Sequence, residues 1–189
     1  MKKILFIFVL SLVLLAPEGE LFAAEDISGN EAFVRGIGYS KKGDYESARK
    51  EFEAALAVNP DLAAAREELA KSFEALKDYD NALAQYKIII SKMPYATDAY
   101  LKIADIYMQN KDKESAIKAL NEALALNPAS AGLHEKLGII YYDEGEMRKA
   151  KEEFQDELAR TRKSKDARRY LRLIEKKEKE ARRKGGKKK

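Results

Sequence analysis

From residue 29 to residue 164 the apolar positions follow helical spacing, and the whole pattern returns every 34 residues. The register is marked by Pro60, Pro94 and Pro128, each placed just after an apolar run: AALAVNP, KIIISKMP and EALALNP. Aligning on the prolines divides the chain into blocks 29–62, 63–96, 97–130 and 131–164. Each block predicts two helices. The first ends at a polar turn: Lys41-Lys42-Gly43-Asp44, Lys77-Asp78, Gln109-Asn110-Lys111-Asp112 and Asp143-Glu144-Gly145-Glu146. Such residues favour left-handed and capping conformations. The second helix ends before the proline in the first three blocks, as a residue without an N–H and with a fixed φ requires.

The same offsets carry the same side-chain sizes in every block. The eighth position is Gly36, Ala70, Ala104 and Gly138; the eleventh is Tyr39, Phe73, Tyr107 and Tyr141. The twentieth is Ala48, Ala82, Ala116 and Ala150; the twenty-fourth is Phe52, Tyr86, Leu120 and Phe154. Small residues let two helices approach while a large one fills the gap beside them. One such pair cannot bury its own apolar face, so the pairs must stack.

Over residues 29–164 this pattern resembles the tetratricopeptide repeat (TPR) family. The resemblance implies an all-α helical solenoid of about four helix-turn-helix repeats. Its departures lie at the ends: Ala32 and Arg35 stand where the family has bulky apolar residues, Glu157 where it has a small one, and Arg162 where the fourth proline would be. After Ser164, residues Ala167, Tyr170, Leu171 and Ile174 form one apolar stripe, so 165–184 is expected to be a capping helix. Residues 185–189 contain no large apolar residue and are expected to be a disordered basic tail.

The first residues read as an export signal. Met1-Lys2-Lys3 is followed by an apolar run from Ile4 to Ala16, then by Pro17 and Gly19. The run is shorter than the ~20 residues of a membrane span and fits the apolar segment of a secretory signal, 1–24, cleaved after Ala23 or Ala24. An uncleaved anchor is the alternative; in either case residues 25–28 are expected to be a linker. Either reading places the body outside the cytoplasm, periplasmic or secreted, or held at the inner membrane and facing the periplasm.

Composition narrows the chemistry. The chain of 189 residues has no Cys, which excludes disulfides, thiolate metal sites and thiol catalysis. The net charge of +4 is unevenly spread. Residues 160–189 hold 16 Lys and Arg against 4 acids, net +12, leaving −8 on the remainder. The single histidine, His134, falls at a packing offset, and no HExxH, P-loop or dinucleotide motif is present. The pairs Glu67-Glu68 and Glu152-Glu153 read as solvated helix faces. No catalytic residue, metal site or cofactor is expected, and the chain reads as a non-enzyme.

In the TPR family the concave wall is formed by the first helix of each pair. The resemblance therefore assigns the groove to Phe33 and Ile37; to Glu67, Lys71 and Glu74; to Asp98, Leu101, Asp105 and Met108; and to Glu135, Ile139 and Tyr142. Apolar footholds among excess carboxylates would suit a protein or peptide segment carrying basic and apolar residues. That excess argues against a clamp for acidic C-termini, to which only Asn30, Lys71 and Lys102 could contribute. The expected function is a protein-interaction scaffold of the cell envelope. The alternative is an electrostatic binder of anionic envelope surfaces through the basic C-terminal tail, with the repeats as spacer. Nucleic acid is not expected as a partner.

Overall fold

The computed structural model describes residues 18–186. Most of the export-signal segment, and residues 187–189 of the basic tail, lie outside the described residues. Among those described there are nine α-helices and no strand. They are α1 (Glu18–Lys41), α2 (Tyr45–Val58), α3 (Ala63–Ala75), α4 (Tyr79–Lys92), α5 (Thr97–Gln109), α6 (Lys113–Leu126), α7 (Leu133–Asp143), α8 (Met147–Thr161) and α9 (Lys165–Gly186). Residues 25–28, read from the sequence as a linker, continue α1. No helix among the described residues is long and apolar enough to cross a membrane. The described residues divide into two compact units, 18–85 and 86–186.

One turn design recurs at the 34-residue period. Gly43, Lys77, Lys111 and Gly145 all take positive φ, at 78°, 61°, 61° and 79°. Each is the left-handed residue that ends the first helix of a pair. The residue after it donates its N–H back over the turn, from Asp44 to Tyr39, Asp78 to Phe73, Asp112 to Tyr107 and Glu146 to Tyr141, at 2.8–3.1 Å. The same residue opens the next helix. The carboxylates of Asp44, Asp78 and Asp112 accept the N–H of Ser47 (3.1 Å), Asn81 (3.3 Å) and Ser115 (3.1 Å). Hydrogen bonds from the side chain and then the backbone N–H of Ser47 and of Ser115 hold the Asp44 and Asp112 carboxyls below the usual carboxylate range.

A Cβ in the left-handed region costs roughly 1 kcal/mol, which Gly43 and Gly145 avoid and Lys77 and Lys111 do not. Lys77→Gly and Lys111→Gly are therefore each expected to stabilise the fold by about 0.5–1 kcal/mol, read as a rise in the denaturation midpoint. A fall at both positions would show that the lysine side chains contribute more than the backbone strain removes.

In the first unit α1 packs on α2 through its small residues. Gly36 lies directly against the ring of Phe52, which is fully buried, and Phe33 tilts onto that ring at 5.9 Å. Ala32, Ala55 and Ala65 form a second buried cluster with Phe33, Leu56 and Leu62 around it. Ala32, off-pattern in the family, is thus a core residue. Arg66 ties the start of α3 to the preceding turn, donating to the Pro60 carbonyl at 2.6 Å and to Gln85 at 3.1 Å.

The second unit repeats the design. Gly138 of α7 lies against Phe154 of α8, while Ala104 and Leu120 occupy the matching offsets of the block before. Its end is different. At Arg162, where the fourth proline is missing, φ is +45°. A proline ring holds φ near −65° and cannot take that conformation, so the left-handed exit of α8 requires another residue. Ser164 then caps α9, its Oγ accepting the Ala167 N–H at 2.9 Å. The predicted stripe packs as expected: Ala167 and Ile174 are fully buried with Ala150 and Phe154, and Tyr170 stacks on Phe154 at 5.0 Å with 10° between the rings.

Candidate functional site

The groove residues assigned from the sequence fall in both units, and each group has its own geometry. In the first unit Phe33 and Ile37 are half-buried, and Phe33 packs against the buried Ala32, Ala55 and Ala65. Glu67 and Lys71 are exposed on α3, one turn apart. The Lys71 ammonium is held at 2.7 Å from Glu67 and 2.9 Å from Glu68. Partial burial opposes its charge, but the two carboxylate hydrogen bonds outweigh that and raise its pKa. Lys71 is therefore already neutralised by its own helix. Glu68 is half-buried in this pair, not simply a solvated face.

In the second unit α5 and α7 lie side by side. Leu101 Cδ1 is 3.7 Å from the position a Cβ on Gly132 would take, and Lys136 of α7 pairs with Asp105 of α5. Asp98, Leu101, Asp105 and Met108 share one face of α5 at i, i+3, i+7 and i+10. Leu101, Asp105 and Met108 are half-exposed and Asp98 is exposed. On α7, Glu135 accepts a hydrogen bond from Ser164 and so helps seat α9. Ile139 and Tyr142 pack partly beneath α9, where Tyr170 meets the Tyr142 ring edge-on at 5.0 Å. Lys177 sits 4.1 Å above the Tyr142 centroid. The capping helix thus uses the α7 end of the assigned set, and the α5 face carries its open part.

Two polar pairs behind this wall were not legible as pairs. His134 is buried, 8% exposed, and its Nδ1 lies 2.8 Å from Glu153 Oε2. Glu153 is therefore a partner to a core histidine and not part of a solvated face; Glu152 remains exposed. Glu157 is 2% exposed, and its carboxylate accepts the Gly132 N–H at 3.0 and 3.2 Å. Gly132 is the N-cap of α7, where a negative charge meets the positive end of the helix dipole. The family's small residue is replaced here because a carboxylate closes an otherwise open helix start.

Sequence reading also missed a recess of about 230 Å³ between α4, α5 and α6, lined by Lys87, Tyr100, Tyr107, Lys118 and Glu122 among others. Burial, with a smaller contribution from Glu122, pushes the Tyr100 hydroxyl pKa up. Among the described residues no group of three or more His, Asp or Glu is arranged to hold a metal ion.

Two-helix units with a 34-residue period, a recurring order of small and large packing residues and a capping helix define a repeat protein of the TPR class. Family comparisons agree. A tetratricopeptide repeat model matches residues 33–97 and a TPR repeat model matches residues 104–145. The chain belongs to the tetratricopeptide repeat family. Among solved structures it is similar to a tetratricopeptide repeat protein from Parabacteroides merdae, with 23% identity, TM-score 0.70, and coverage of 79% of this chain and 59% of that one. It is also similar to pilF of Pseudomonas aeruginosa, with 23% identity, TM-score 0.66, and coverage of 83% and 72%. A third is the MamA protein, with 23% identity, TM-score 0.65, and coverage of 78% and 80%. At these identities the likeness concerns the fold. No curated protein matches the sequence. TPR proteins bind protein partners and are generally non-enzymatic scaffolds.

Proposed function

We propose that this protein is a non-catalytic adaptor of the cell envelope that takes a basic and apolar protein segment on the exposed face of α5, beside α7. The observation that carries this reading is the state of the charges. Lys136 and Lys71 are each committed to carboxylates of the protein itself, so neither is available to grip an acidic terminus. Asp98 remains exposed next to Leu101 and Met108. An incoming Lys or Arg can pair with Asp98 while its apolar neighbours cover Leu101 and Met108. The envelope location rests on the basic start and apolar run at residues 1–16.

The test is a titration of the protein with basic-apolar and acidic-apolar peptide libraries at low salt. The basic set is expected to bind more tightly. Asp98→Lys is expected to weaken it by about five- to tenfold, the equivalent of one exposed, partly screened charge reversal. Tighter binding of acidic peptides, or no response to Asp98→Lys, would reject this reading.

A further inference from the structure

Helix α9 carries a second surface that is independent of the α5 face. At 100° per residue, Lys165, Arg168, Arg172, Lys176, Lys179 and Arg183 fall within an arc of about 80°, and no acidic residue shares it. The buried stripe of Ala167, Tyr170, Leu171 and Ile174 lies on roughly the opposite side of the helix. The row spans about 27 Å at 1.5 Å per residue. All six side chains are exposed. Arg168 donates to the Arg162 carbonyl. The other five make no ion pair among the described residues. Charges on the docked side are engaged differently: Lys177 lies over Tyr142, and Glu178 sits 3.8 Å from Lys151.

From this arrangement we infer that the outer face of α9 is a binding surface for an anionic lipid bilayer. Packing against Phe154 and its neighbours holds the helix on the body, so the row of cations is pre-organised and its rotational freedom is already lost. A straight row on one side of a straight helix can meet a plane of headgroups with all its charges at once. The strands of a nucleic acid duplex curve away from such a line. The arc holds no apolar residue, so the helix adsorbs at the headgroups without inserting, and its binding is electrostatic and salt-labile. The contact is made by the part of the basic C-terminus that packs on the body as α9.

The test uses the full chain and sedimentation with phosphatidylcholine vesicles, with and without phosphatidylglycerol, at low and high salt. The difference between the two vesicle types isolates charge from any affinity of the apolar N-terminal run. Phosphatidylglycerol is expected to raise binding, and high salt to abolish that gain. Reversing the stripe (Arg172→Glu, Lys176→Glu, Lys179→Glu, Arg183→Glu) is expected to reduce the gain at least about tenfold, since each basic residue near an anionic surface contributes roughly a fivefold factor. A charge-matched control (Lys41→Glu, Lys42→Glu, Lys50→Glu, Lys118→Glu) is expected to change it by less than about threefold, because long-range charge is screened. Gln at the same four stripe positions is expected to give an intermediate loss with an unchanged thermal midpoint. Equal losses in stripe and control variants would overturn the inference. So would vesicle binding indifferent to phosphatidylglycerol, or duplex DNA binding that survives while vesicle binding is absent.

Discussion

Gly138→Ala is expected to destabilise the protein by about 2 kcal/mol, although the same change in an open helix interior stabilises by about 1 kcal/mol. Packing decides the sign. A Cβ at Gly138 would lie 2.7–2.9 Å from Cε1, Cδ1 and Cζ of Phe154. The ring has little room to retreat, because Tyr170 stacks on it at 5.0 Å. Gly36 faces the same obstacle in Phe52, at 2.5–3.0 Å, and Gly36→Ala is expected to behave alike. Two controls separate sterics from propensity. A Cβ on Gly38 would meet nothing within 4 Å beyond its own stretch of helix, so Gly38→Ala is expected to stabilise by about 0.5–1 kcal/mol. The pair Ala104 and Leu120, both fully buried, shows the combination that tolerates the methyl. Gly138→Ala with Phe154→Leu is therefore expected to lose less than the sum of its single changes, by about 1 kcal/mol or more in a double-mutant cycle. Additive losses in urea denaturation would show that Gly138 is small for some other reason.

Tyr170→Ala is expected to cost about 3–4 kcal/mol, the range for an aromatic side chain lost from a packed cluster. Tyr170 touches both sides of the end of the second unit. It stacks on Phe154 of α8 and meets Tyr142 of α7 edge-on, each at 5.0 Å. Removing it leaves the fully buried Phe154 and Ile174 facing a void, and loosens α9 from α7 and α8. The change is read as a lowered denaturation midpoint together with faster amide exchange through α8 and α9. A midpoint shift below that of a typical surface substitution would show that Ile174 and Leu171 hold the cap without it. Tyr170→Phe is expected to be nearly neutral, since the contacts are made by the ring.

The proline register was enough to phase the helices, and the phase was enough to sort small from large positions. Ala48, Ala116, Ala150, Phe52, Leu120 and Phe154 are all fully buried, as their offsets imply. The reason is local: a 34-residue unit cannot bury its own apolar face, so the same sizes must recur wherever a neighbour stacks on it. The site was legible only as a set of candidates. Helical phase places Asp98, Leu101, Asp105 and Met108 on one face, but it cannot say that Asp105 is paired with Lys136 or that Tyr142 lies under Lys177. Those are meetings between residues 31 and 35 positions apart, set by how helices dock.

The repeat, its period, the turns that separate the helices and the cap that closes them were all readable from the residues alone, because each follows from backbone rules and from apolar spacing along a single helix. Which charges are paired from one helix to the next was settled by how the helices dock. Docking turned Glu157 from a departure into the cap of α7, gave His134 a partner in Glu153, and set a left-handed Arg162 where the fourth proline is missing. Burial and pairing of a polar group depend on what a neighbouring helix brings within about 3 Å, and no spacing rule within one helix contains that distance.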